Sequence, residues 1–180
     1  MRRWDQLFGD LESQWEAEAR RELDAEVADR TRRERAGVGL DERLAAAEGA
    51  PLRVGLVSGD VLSGRLTDVG AGWLLLATRV GPALVPLTAV TAVAGVGRQA
   101  DGRSQGRRFG FGYALRGLSR DRAVVVVTDL SGGQVTGTID GVGRDVLELS
   151  EHAADVPRRR ENVTGVRLIP FAAVVAVRQA

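Results

Sequence analysis

Few side chains in this sequence of 180 residues have the type and spacing to do chemistry. His152 is the only histidine, and work as a general base would need a nucleophile and an orienting acid beside it. No such pair stands near it in the sequence, so it reads as a solvated loop residue. Asp60, Asp68, Asp140 and Asp145 lie near turns, where a metal ion would require them to converge with other oxygen ligands. With no cysteine there is no thiolate chemistry, no disulfide and no cysteine-based zinc site. Gly59 and Gly132 follow strand-like runs, yet neither is followed by the Lys-Ser or Lys-Thr of a phosphate-binding loop. The sequence therefore predicts no catalytic residue, no cofactor and no metal, and the protein reads as a non-enzyme.

What remains is arginine and a stripe of large apolar side chains. All 25 strongly basic residues are arginine, a fork suited to phosphate oxygens and equally the ordinary surface cation of a GC-rich genome. Net charge is +1, but residues 1–48 hold 13 acids against 9 arginines, whereas residues 49–180 hold 16 arginines against 11 acids. The sharpest basic stretch runs from Arg98 to Arg122, with seven arginines against Asp101 and Asp121. Arg98, Arg103, Arg107 and Arg108 in that stretch, with Arg158, Arg159 and Arg160 further on, are the candidate nucleic-acid contacts. The plain alternatives are a solvated linker and a polar loop. Trp4, Leu7, Phe8, Leu11 and Trp15 recur at helical spacing and form the candidate docking stripe.

The elements that must position these residues follow from an internal repeat. Ser58 to Gly70 recurs 73 residues later as Ser131 to Gly143, and Val85 to Val93 recurs 84 residues later as Ile169 to Val177. The second copy therefore carries eleven extra residues, and Arg158 to Arg160 lie among them. From Trp4 to about Arg35 the pattern is one long helix with acid-first pairs four apart, such as Asp29 and Arg33, ended by Gly37 and Gly39. Shorter helices are predicted over Leu40 to Ala47 and Phe109 to Leu118, one ahead of each copy. Within a copy Leu52, Val54 and Leu56 share a face, Gly59-Asp60 makes a hairpin turn, and Gly64 or Gly137 marks a sharp bend in the second strand. Pro86 and Pro170 break the fourth strand from a short fifth. Trp73 and Leu75 stand where the second copy has Val146 and Glu148, so they predict a covered face on the first copy, and the N-terminal stripe is the matching cover.

On these residues the chain resembles the Sm/LSm family, and most of all its bacterial host-factor (Hfq-type) branch. The likeness rests on the leading helix, the apolar-x-Gly-x-apolar second strand, and the closing patterns Val85, Ala89, Val90, Val93 and Ile169, Ala173, Val174, Val177. It spans about residues 40–170 and implies an α+β, mostly β fold: a long N-terminal helix, then two tandem Sm-like (SH3-like) five-stranded small barrels, each preceded by a short helix. Family members form six- or seven-membered rings on single-stranded RNA. The second-loop aromatic and acid of the bacterial branch are here Val69-Gly70 and Val142-Gly143, and the basic cluster before the last strand is Pro86-Leu87-Thr88 and Pro170-Phe171-Ala172.

The expected organisation is a helix over residues 1–36, a first barrel with its helix over 38–96, a basic linker over 97–108 and a second barrel over 109–180. The function expected is non-catalytic binding, as an assembly or regulatory adaptor with a protein partner or as a homo-oligomer. RNA or DNA binding through the arginines is the alternative, and an enzyme of unknown type is a distant one. No apolar run is long enough to span a bilayer and no signal-peptide core is present, so no membrane partner and a cytoplasmic location are expected.

Overall fold

The computed structural model describes Trp15, Glu18 and residues 20–33, 36–97 and 109–180. The chain divides into two compact units, Met1–Gly39 and Leu40–Ala180. In the first, residues 20–33 are helical (α1), a shorter described run than the Trp4 to Arg35 helix expected. Asp29 bridges Arg32 at 2.6 Å and Arg33 at 3.3 Å on its exposed surface, pairs worth a few tenths of a kcal/mol each.

In the second unit a short helix, α2 (Leu40–Ala46), precedes β1 (Pro51–Leu56), β2 (Val61–Gly70), β3 (Trp73–Thr78), β4 (Gly81–Pro86) and β5 (Val90–Ala94). A second helix, α3 (Phe111–Arg120), precedes β6 (Val124–Asp129), β7 (Gln134–Val142), β8 (Val146–Glu151), β9 (Gly165–Pro170) and β10 (Val174–Gln179). The repeat is visible in the register. Gly64 lies opposite Leu52 and Thr78, and Gly137 lies opposite Val125 and Glu151, the same partners moved along by 73. Each second strand carries a bulge at matching places, Leu66/Asp68 and Ile139/Gly141. Gly59 and Gly132 take positive φ in the hairpin turns, where a side chain would be strained.

The two separate five-stranded barrels expected from the sequence are not what forms. All ten strands make one open antiparallel sheet in the order β5-β1-β2-β3-β4-β10-β6-β7-β8-β9. The halves fuse because β4 pairs with β10, with Leu84 opposite Val177 and Ala83 opposite Arg178. The physical cause lies in β10, whose Val174, Val175, Ala176 and Val177 are all buried, two to each side. Its counterpart β5 reads Val90, Thr91, Ala92, Val93 and stays half-exposed. A continuous apolar run wants cover on both faces; an alternating one wants water on one.

Two core clusters result, and each borrows from the other copy. Leu44 of α2 packs with Val54, Leu66, Leu74 and Leu76, completed by Val175 and Ala176 of β10. Leu115 of α3 packs with Val125, Ile139, Leu147 and Leu149, completed by Trp73 and Leu84 of the first copy. Among the described residues no helix is long and apolar enough to cross a membrane.

Candidate binding surfaces

Trp73 shows how the copies lock together. Its indole lies on Gly70, so close that a Cβ there would collide with the ring. Its Nε1 donates to the Phe109 carbonyl at 2.8 Å, and the Ala71 amide donates to the same oxygen at 3.1 Å. Trp73 is 6% exposed, and the apolar cover over it and Leu75 is supplied by α3, through Ala114, Leu115 and Leu118. A cleft of about 320 Å³ persists between these elements, lined by Trp73, Leu75, Leu84, Phe109, Tyr113 and Ala114 among others. Phe109 and Tyr113 stack at 4.1 Å on its rim. Of the expected docking stripe, Trp4, Leu7, Phe8 and Leu11 lie outside the described residues, and Trp15 is 80% exposed.

The arginine candidates divide in the same way. Arg98, Arg103, Arg107 and Arg108 lie outside the described residues. Arg159 and Arg160 are exposed on the β8–β9 loop. Arg158 is committed elsewhere: its guanidinium pairs with Asp140 and donates to the Ser150 hydroxyl at 3.2 Å, while Ser150 donates to Asp140 at 2.5 Å. The loop is thereby folded back over the outer face of β7 and β8.

His152 lies at the start of that loop, and it is 4% exposed, not solvated as expected. Its Nδ1 lies 2.8 Å from the Ala153 carbonyl, which can only accept, so Nδ1 carries the proton. Nε2, 2.8 Å from the Thr138 hydroxyl, then accepts from it. Both ring nitrogens are thus engaged, one on backbone and one on a hydroxyl.

Burial pushes the Asp140 carboxyl up, but the hydrogen bonds from Arg158 and Ser150 outweigh it and hold the group below the ordinary value of 3.8. The sign follows from linkage. A depressed folded-state value means the stabilisation is complete above 3.8 and is lost as pH falls through the lower, folded value. Asp140→Asn is expected to cost about 1 kcal/mol at neutral pH, since it removes the counter-charge of the Arg158 guanidinium and the acceptor of Ser150. Urea midpoints of the variant and wild type should converge in strong acid; a pH-independent gap would show that the clamp is not electrostatic.

The same outer face in the first copy carries Arg53, Ser63, Arg65 and Arg79 where the second has Val126, Thr136, Thr138 and His152. No loop covers it. Arg53, Ser63 and Arg79 line an open cavity of about 520 Å³ whose floor is Pro51, Leu52, Gly64, Ala94 and Gly95. A comparison of the two copies marks it: Arg53 on β1 and Arg79 in the β3–β4 turn fall where the second copy has Val126 and His152.

The remaining surfaces are the two unpaired edges of the sheet, β5 and β9. On β9, Val166 is 59% and Leu168 66% exposed, although Leu84, the counterpart of Leu168, is 4% exposed inside the chain. Beside β5 a groove of about 200 Å³ runs along α2, lined by Leu40, Arg43, Val90, Thr91, Ala92, Val93 and Val96. The Arg43 Nε is buried there with no hydrogen-bond partner. Among the described residues no group of three or more His, Asp or Glu side chains could hold a metal. No protein-family model matches this sequence, and no curated protein matches it.

Proposed function

We propose that the chain is a non-catalytic assembly protein that binds by strand addition at its two open sheet edges. One observation carries the reading: the chain already performs this pairing once, internally, where β10 covers the edge of β4 and buries Leu84. The edge of β9 is built to the same pattern and shows Leu168 to solvent. Edge strands left for water are commonly blunted with charge or proline. Here Arg167 blunts one position, bonded to Glu151 at 2.9 Å, while the apolar neighbours Val166 and Leu168 stay bare. Main-chain hydrogen bonds would supply the affinity and the side-chain pockets the selectivity. Nucleic-acid binding through the β8–β9 loop has less support, because Arg158, the innermost of its arginines, is held by Asp140.

Light scattering tests the reading. The chain should show a concentration-dependent mass above that of one chain, and Leu168→Lys should return it to a single chain with unchanged circular dichroism. A mass of one chain at every concentration would overturn it.

A further inference from the structure

We infer that the cleft between β3 and α3 is a binding site for a small organic cation, an ammonium group carried on a flat apolar body. The inference is independent of edge assembly, because the walls of the cleft come from β2, β3, β4 and α3 with Phe109 beside it, and none of these is an edge strand.

The walls are aromatic. Three of the five aromatic residues in Leu40–Ala180 line the cleft: Trp73, Phe109 and Tyr113. Phe109 and Tyr113 stay 55% and 44% exposed, stacked on each other with 21° between the ring planes, so they border the space without filling it. The two hydrogen bonds on the Phe109 carbonyl, from the Trp73 indole and the Ala71 amide, hold this platform before any ligand arrives. Little ordering is then left to oppose binding. The face of an aromatic ring attracts a cation. A volume of about 320 Å³ falls at the lower end for small-molecule sites, which limits the ligand to roughly one ring and a short chain.

Charge sets the sign. Asp68 and Asp121 line the cleft, and among the described residues no arginine does. Asp121 caps the C-terminal end of α3, and its carboxylate makes no hydrogen bond or ion pair with a described residue. An acid at that end opposes the helix dipole, so helix stability does not account for it, and the dipole and the carboxylate together make this end of the cleft negative. On the strand side the Asp68 Oδ1 accepts from the Val69 amide at 2.8 Å. Asp68, Trp73 and Leu75 stand where the second copy has Gly141, Val146 and Glu148, so the strand wall is built from positions at which the copies differ.

Titration of the full chain with phenethylammonium at neutral pH tests this, followed by NMR at the Trp73 indole N–H and the Tyr113 and Gly117 amides. These signals should shift and saturate, with a Kd about tenfold or more below that of phenethyl alcohol, which has the same ring and no charge. Hydrocinnamate, of opposite charge, should leave them in place. Asp121→Asn should bring the ammonium Kd close to that of the alcohol and leave the alcohol Kd unchanged. Its urea midpoint should be at or above wild type, since the helix end loses an unfavourable charge, and that separates lost charge from lost fold. Equal affinity for ammonium and alcohol, an unchanged ammonium Kd in Asp121→Asn, or no shift with any of the three compounds would overturn the inference.

Discussion

Trp73→Ala should cost about 3–5 kcal/mol, the range for removing a large buried aromatic from a core that cannot collapse around the gap. Against a total stability on the order of 5–15 kcal/mol that approaches loss of the folded state. The direction of the damage is the sharper expectation. Trp73 belongs to the first copy by sequence, but it is part of the core cluster of Leu115, Val125, Ile139 and Leu147 of the second. Amide hydrogen exchange should therefore show lost protection in β6, β7 and β8 together with β3. The repeat alone suggested damage confined to the first copy. Protection of β6 to β8 at wild-type levels would show that the clusters are independent after all.

Gly137→Ala should be comparably severe. A Cβ at this position would run into the carbonyl of Ser150 on the neighbouring strand, and at Gly64 the matching Cβ would lie 2.6 Å from the Ala77 oxygen. Backbone cannot swing aside as a side-chain tip can, so the strands must part or the ladder must break. We expect a loss of about 3 kcal/mol or more, at the upper end for overpacking. Gly141→Ala, on the same strand, is the control: its nearest contact would be 3.8 Å, ordinary van der Waals distance, and it should change the urea midpoint little. Equal midpoints for Gly137→Ala and wild type would refute the close approach.

These two residues also mark what the sequence could and could not reveal. Gly137 was legible because its counterpart Gly64 sits in the same apolar-x-Gly-x-apolar frame, and a bend in a strand has a local signature. The strand ends at Pro86 and Pro170 were legible for the same reason, and both are followed by short 3-10 turns, Leu87–Ala89 and Phe171–Ala173. Strand partners across the two copies had no such signature. Pairing β4 with β10 is a long-range choice between edges, and the clue was a difference of one residue, Val175 where β5 has Thr91. The cover over Trp73 was assigned to the N-terminal apolar stripe, whereas α3, more than 35 residues downstream, supplies it. His152 was read as solvated because its neighbours are loop-like; its burial depends on a fold-back that Arg158 makes through Asp140 and Ser150.

Because β10 completes both core clusters, it also sets the order of events during synthesis. The first helix and β1 to β5 leave the ribosome some 80 residues before Val174 to Val177 do, a delay of about 4–16 s at ordinary elongation rates. Throughout that interval the edge of β4 away from β3 is uncovered at Leu84, and Val54, Leu66 and Leu76 lack Val175 and Ala176 beside them. The nascent chain thus waits as an incomplete half with an adhesive edge, and neighbouring chains on one messenger carry β5 strands able to take the vacant place. Strand exchange at that moment would trap chains in the wrong partnership, so the polar Thr91 on β5 serves the nascent chain as much as the finished one: it makes the wrong strand a poorer fit than the right one.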